Sequence, residues 1–260
     1  MKPGIHPSTV SFAFPLILTV VICFPAISCQ QTRPFDVCGA TVQCGDISLE
    51  YPFWGFGRPE YCGHPDFQLI CQSNVSVLSY ESLNYRVLAI DTSTQTITIA
   101  RNDLWTTFCP QVLYNTSYNT TLFNGDNLGQ RDVSLYYDCN SSISQNPLGS
   151  TSTYEFTCNV DGSDTDGYFF RSDLIASNMA NFFVQCENYI EVPVNQSSAG
   201  RLGATGATTN DMRSALSGGF QLLWRANNDE CNRCIRSNGR CGSNSTSPDL
   251  FTCYTNGGGG

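Results

Sequence analysis

Lysine is almost absent from these 260 residues: Lys2 is the single one, and His6 and His64 are the two histidines. Schiff-base chemistry needs a lysine, and proton transfer most often uses histidine, so this scarcity disfavours most chemistry of either kind. Charge of both signs is thin, at 13% of residues, where about 25% is usual. Basic groups are outnumbered, 13 Lys+Arg against 22 Asp+Glu, for a formal net charge of -9. Neutralising phosphates takes clustered Lys and Arg, so nucleic acid is not expected as a partner. Beyond Ile27 no long apolar run remains, so no later stretch is expected to span a membrane.

What is present points to export. At 41% hydrophobic and 12% aromatic residues the chain has material for a packed core, which argues against wholesale disorder. Residues 1–29 read as a secretory signal peptide, with Lys2 and His6 ahead of an apolar run from Phe12 to Ile27 and small residues at Ala26 and Ser28. There are 14 cysteines. Cleavage after Cys29 leaves an even set: Cys38, Cys44, Cys62, Cys71, Cys109, Cys139, Cys158, Cys186, Cys231, Cys234, Cys241 and Cys253. Cysteines spread along a secreted chain are expected to form structural bridges. Their pairing stays open, since twelve thiols allow on the order of ten thousand connectivities. Asn-x-Ser/Thr sequons at Asn74, Asn115, Asn119, Asn140, Asn195 and Asn244 agree with export and mark surface segments.

The hydropathy pattern is that of strands. Ile47–Phe53 alternates, Phe67–Cys71 is a second candidate, and Tyr85–Ile90 with Thr96–Ala100 flanks a five-residue polar loop, a hairpin pattern. Further strands are expected at Val133–Tyr137, Tyr154–Cys158, Phe182–Cys186, Ile190–Val194 and Phe220–Trp224. One helix stands out, capped by Thr208 or Thr209, carrying Met212, Ala215 and Leu216 on one face and ended by Gly218-Gly219. The expected fold is a β-rich α+β arrangement of two disulfide-stabilised extracellular modules, mostly antiparallel strands with few short helices. Residues 30–110 and 131–256 are the two modules, 111–130 an exposed loop or linker, and 257–260 a glycine tail.

Three familiar patterns fail on inspection. Asp161–Gly167 looks like a calcium loop, but Gly162 stands where an acidic residue is needed. Asp91-Thr92-Ser93 has no second triplet to share a proton with, as aspartic proteases require. Cys231-x2-Cys234 has no companion pair to complete a zinc site, and His64 has no nucleophile beside it. No catalytic constellation is visible, so the chain is expected not to be an enzyme.

The segment from Cys38 to Cys109 resembles the galacturonan-binding module of plant wall-associated receptor kinases, especially the leaf-rust-resistance-like branch. The resemblance rests on Cys38-Gly39, Cys44-Gly45, Ile47 with Tyr51-Pro52-Phe53-Trp54, and the block Cys62-Gly63-His64-Pro65-Asp66-Phe67-Gln68-Leu69-Ile70-Cys71. Tyr85-Arg86-Val87, Ile99-Ala100-Arg101-Asn102-Asp103 and Cys109 complete it. Gly219-Phe220-x-Leu222-x-Trp224 with Cys231, Cys234, Cys241-Gly242 and Cys253 is similar to the cysteine-rich module that follows in those receptors. That module usually closes on Cys-x-Cys, whereas Thr255 follows Cys253 and Tyr254 here, so a bridge is expected to be missing. Such receptors continue into a membrane span and a kinase, neither of which this sequence contains. It is read as a secreted protein or a truncated receptor ectodomain, extracellular and in the cell wall, membrane-attached only in the second case.

The resemblance implies non-catalytic binding of pectic galacturonan, and the residues offer a means. Sugars present C–H faces to aromatic rings, and arginine holds a carboxylate with two parallel hydrogen bonds. Trp54, Phe56 and Arg58 share a glycine-rich loop, and Arg33, Arg86 and Arg101 are the other cations of this module. Trp54, Phe56, Arg58, Arg86 and Arg101 are therefore the candidate ligand-binding residues. No cofactor is expected, although calcium bridging pectin to protein carboxylates is a second route. The rival reading is a protein-interaction ectodomain that recognises a peptide or a co-receptor at the cell surface.

Overall fold

The computed structural model describes residues 33–139, 154–160, 162–174, 186–204 and 206–257. The signal peptide expected at 1–29, the sequon at Asn140 and most of the expected strand Phe182–Cys186 lie outside the described residues. A short helix α1 (Pro34–Gly39) leads into the hairpin β1 (Val42–Cys44) and β2 (Ile47–Leu49). The strand expected to reach Phe53 stops at Leu49, because a turn follows at Tyr51–Pro52 and proline has no N–H for a ladder. Phe53 is nonetheless fully buried. Next come β3 (Ile70–Gln72), β4 (Val75–Tyr80), β5 (Leu83–Asp91) and β6 (Thr96–Arg101), which start the first large sheet, separate from that hairpin, in which β3 pairs antiparallel with β4, β4 with β5 and β5 with β6. The β5–β6 hairpin is the expected one. Its loop needs no glycine: Asp91 Oδ1 accepts from Ser93 N at 2.9 Å and Thr94 N at 3.2 Å, and Gln95 takes the left-handed position at φ 56.

A second sheet holds β8 (Arg131–Cys139), β9 (Glu155–Val160), β10 (Ser163–Arg171) and β11 (Cys186–Val194) in the order β11-β8-β10-β9. Its buried face carries Val133, Leu135, Tyr137, Phe169, Ile190 and Val192. Two helices, α2 (Gln196–Leu202) and α3 (Thr209–Gly218), add Ala199, Leu202, Met212, Ala215 and Leu216 to the same core. Helix α3 is the expected one. Thr208 and Asp211 form a reciprocal capping box, and Gly219 ends the helix at φ 62, where a β-carbon would strike the Ile99 carbonyl.

The chain then returns to the first sheet. Strand β12 (Phe220–Trp224) pairs with β6, and the two-residue β7 (Phe123–Asn124) pairs with its outer side, giving the order β3-β4-β5-β6-β12-β7. Phe220, Leu222 and Trp224 enter a core with Phe53, Phe67, Tyr85, Ile97 and Ile99. Trp224 meets Phe53 edge-on at 5.1 Å between ring centres. Helix α4 (Asn228–Arg236) and the hairpin β13 (Arg240–Asn244) with β14 (Ser247–Tyr254) close the fold.

Six disulfides pair all twelve cysteines of the expected set: Cys38–Cys62, Cys44–Cys71, Cys109–Cys158, Cys139–Cys186, Cys231–Cys241 and Cys234–Cys253. The bridge expected to be missing at the C-terminal end is made: Cys253 finds Cys234 on α4, so the absent Cys-x-Cys partner leaves none of these cysteines unpaired. Cys241 and Cys253 lie opposite each other in the β13–β14 ladder, and each reaches back to α4. Two covalent ties therefore fix one helix to one hairpin.

Candidate functional site

The glycine-rich loop folds into a tight turn, with Gly55 and Arg58 exchanging backbone hydrogen bonds at 3.0 and 2.8 Å. Gly55 has φ 124, and a β-carbon there would meet the Leu69 carbonyl at 2.0 Å, so no larger residue fits. Trp54 is half-buried. Its indole N–H donates to the carbonyls of His64 at 2.9 Å and Pro65 at 3.1 Å, which fastens the neighbouring loop. Phe56, at φ 44, packs against the first core. His64 is a loop residue, edge-on to Phe67; burial draws its pKa down against the pull of Asp66 and Asp249.

The arginines do not gather into one patch. Arg58 is 5% exposed, and its guanidinium donates to the carbonyls of Cys38 at 2.9 Å and Cys62 at 3.0 Å, the two residues of one disulfide. Burial lowers its pKa, and Glu50 opposes that shift. Arg101 is 2% exposed and is held by both carboxylate oxygens of Asp103 and by the Tyr114 carbonyl. Arg86 is half-buried, donating to Asn102 at 2.9 Å with its guanidinium 4.5 Å above Trp105. Tyr85 pairs with Arg101 and Arg86 with Ala100, so the two arginines leave opposite faces of the sheet.

A cleft of about 390 Å³ opens beside Arg58. One wall comes from the start of the chain, with Ser48, Glu50 and Tyr51, together with Thr92 and Ser93 of the β5–β6 loop; the other comes from α4 and the start of β13, with Asn232, Ile235 and Arg240. The walls are coupled: the Asn228 amide donates to Gln95 and to the Trp224 carbonyl, both at 3.0 Å. Burial pushes the Tyr51 hydroxyl up to about 12 against a hydrogen bond to Asn227, so it is protonated at neutral pH. Arg240 is exposed, its guanidinium 5.4 Å above Phe35. Its side chain can swing toward an anion at little cost, which Arg58 and Arg101 cannot. Trp54 and Phe56 do not line the cleft.

Residues 38–101 match the family described as wall-associated receptor kinase galacturonan-binding, and residues 157–258 match the wall-associated receptor kinase C-terminal family. This chain is built from both modules of the wall-associated receptor kinases. Relatives in Arabidopsis thaliana include the leaf rust 10 disease-resistance locus receptor-like protein kinase-like 2.5, 32% identical over 95% of this chain and 37% of that protein. The like 1.3 protein is 30% identical over 88% of this chain and 30% of its own length. The like 2.1 protein is 28% identical over 84% of this chain and 33% of its length. The chain thus spans about a third of these relatives. No solved structure matches it. Among the described residues no helix is long and apolar enough to cross a membrane. Both wall-associated kinase modules contribute to the cleft: Tyr51 and Thr92 fall in the first match, Asn232 and Arg240 in the second.

Nothing in the sequence groups Glu50, Tyr51, Thr92, Asn232 and Arg240, because they lie far apart along the chain and only the pairing of β12 with β6 and the contact of Asn228 with Gln95 bring their segments together. The faint signal was the polar Asn227-Asn228-Asp229-Glu230 run directly ahead of Cys231 and Cys234.

Proposed function

We propose that this chain binds acidic cell-wall polysaccharide of the galacturonan class, outside the cell and without chemical change, in the cleft between Tyr51 and Arg240. The observation that carries the reading is that a segment matching a galacturonan-binding family supplies one wall of that cleft. Chemistry supports it. An exposed guanidinium suits a uronate carboxylate, an aromatic ring suits a sugar C–H face, and hydroxyls and carboxamides suit sugar hydroxyls. The Trp54–Arg58 loop serves as scaffold for this site. Six disulfides fit an oxidising compartment. The chain is acidic overall and Glu50 lines the cleft, so a calcium ion between that carboxylate and a uronate would relieve repulsion.

The test is titration of the folded protein with oligogalacturonides, with and without calcium. Saturable binding is expected, weakened about tenfold by Arg240→Ala, as the loss of one charge-assisted hydrogen bond predicts. No saturable signal at millimolar ligand would overturn the proposal.

A further inference from the structure

A second cavity, of about 490 Å³, has a lining of opposite character. Four carboxamides, Gln130, Asn195, Gln196 and Gln221, surround it with the hydroxyls of Thr98 and Ser197, and no charged residue takes part. A carboxamide offers donor and acceptor in one plane, a match for vicinal hydroxyls or an N-acetyl group of a neutral sugar. The Oε1 of Gln130 is buried with no partner among the protein atoms, while its Nε2 donates to the Gly125 carbonyl at 3.0 Å. An orphaned acceptor in a polar groove calls for a donor from outside.

The chain carries a sugar acceptor in the wall of this groove. Asn195-Gln196-Ser197 is a glycosylation sequon. Asn195 Oδ1 is committed, accepting from Ser198 N at 2.9 Å and Ser197 Oγ at 2.7 Å. Its Nδ2 makes one long contact, 3.5 Å to the Gly219 carbonyl. Gly218, which also lines the groove, stands beside that nitrogen: a β-carbon there would come within 3.1 Å of it. The atom that would bear a glycan is thus oriented by its own amide oxygen, and a glycine keeps the adjoining space open.

We infer that Asn195 is N-glycosylated and that the first sugar of its glycan is seated in this groove, against Gln130, Gln196 and Gln221. The inference rests on the extracellular reading, since the modification belongs to exported chains. The donor is an oligosaccharide carried on a polyprenyl diphosphate. The Nδ2–C1 bond forms as the sugar–phosphate bond breaks, the diphosphate leaves, and one amide proton is lost. The remaining N–H still faces the Gly219 carbonyl. Seated in this way, the glycan spans β6, β12, α2 and the segment before β8, joining elements from both modules.

The test is to export the full chain from a human cell line and map sequon occupancy by mass spectrometry, after amidase release in heavy-oxygen water. Release is run on native and on denatured protein. Asn195 is expected to be occupied and to lose its glycan on the order of tenfold more slowly than exposed Asn74 in the native protein, with the rates equal after denaturation. Gln221→Ala, on the exposed side of β12, is expected to remove that lag while leaving occupancy unchanged. An unmodified Asn195 in material modified at other sequons, or native release as fast as at Asn74, would overturn this inference alone. Material modified at no sequon would overturn the extracellular reading with it.

Discussion

Arg58 holds the carbonyls at both ends of the Cys38–Cys62 bridge, and Arg240 lies exposed over Phe35; the two line the same cleft. Arg58→Ala leaves two buried acceptors without donors, so a loss of about 3 kcal/mol is expected, read as a lower denaturant midpoint at unchanged slope. Arg240→Ala should leave that midpoint in place while weakening oligogalacturonide binding. If Arg58→Ala keeps wild-type stability, the tie described here is not one. The sequence put Arg58 next to aromatic rings in a flexible-looking loop, which reads as ligand chemistry. Its partners are backbone carbonyls four and twenty residues away, and no side-chain pattern announces those. Phe53, by contrast, was legible as an inward residue because alternation with its neighbours survives the early end of its strand.

Helices α3 and α4 differ in how openly they declare themselves. In α3 the cap, the apolar face and the terminal glycine all stand in the sequence, and all three are used. The carboxyl of Asp211 is held at about 2, chiefly by the Thr208 hydroxyl and then by Arg201, against an ordinary value of 3.8. The folded state therefore favours the carboxylate. Its contribution is complete above 3.8, where both states are ionised, and is lost as pH falls toward about 2 and the unfolded chain takes up the proton first. The thermal midpoint should fall across that window, and Asp211→Asn should make the fall shallower. An unchanged slope would show the capping box to be without weight. Helix α4 was not legible, because its buried face is Cys231 and Cys234 and the remainder is polar. Cysteines at i and i+3 read as a bridge motif rather than as helical periodicity. What the sequence did offer was charge order, with Asp229 and Glu230 in the first turn and Arg233 and Arg236 in the last.

The molecule as a whole depends on β12, which comes from the far part of the chain and completes the sheet begun near the start. Trp224→Ala removes a ring packed against Phe53 and is expected to cost about 3–5 kcal/mol, measured by denaturant unfolding. A fragment ending at residue 110 keeps β6 but loses β12 and one wall of the cleft. It should neither give a cooperative unfolding transition nor bind oligogalacturonides; a fragment that does both would show that the first match is self-sufficient.

The same strand order has a consequence during synthesis. While the ribosome works from Asn102 to Gly219, β6 has a partner on one side only, β5, and the row of amides and carbonyls on its other side is open to any extended peptide nearby. The half-made protein is therefore most vulnerable to mispairing in its middle period, and a nascent-chain helper that shields one raw edge until Phe220 arrives would raise the yield more than one that acts on the finished chain.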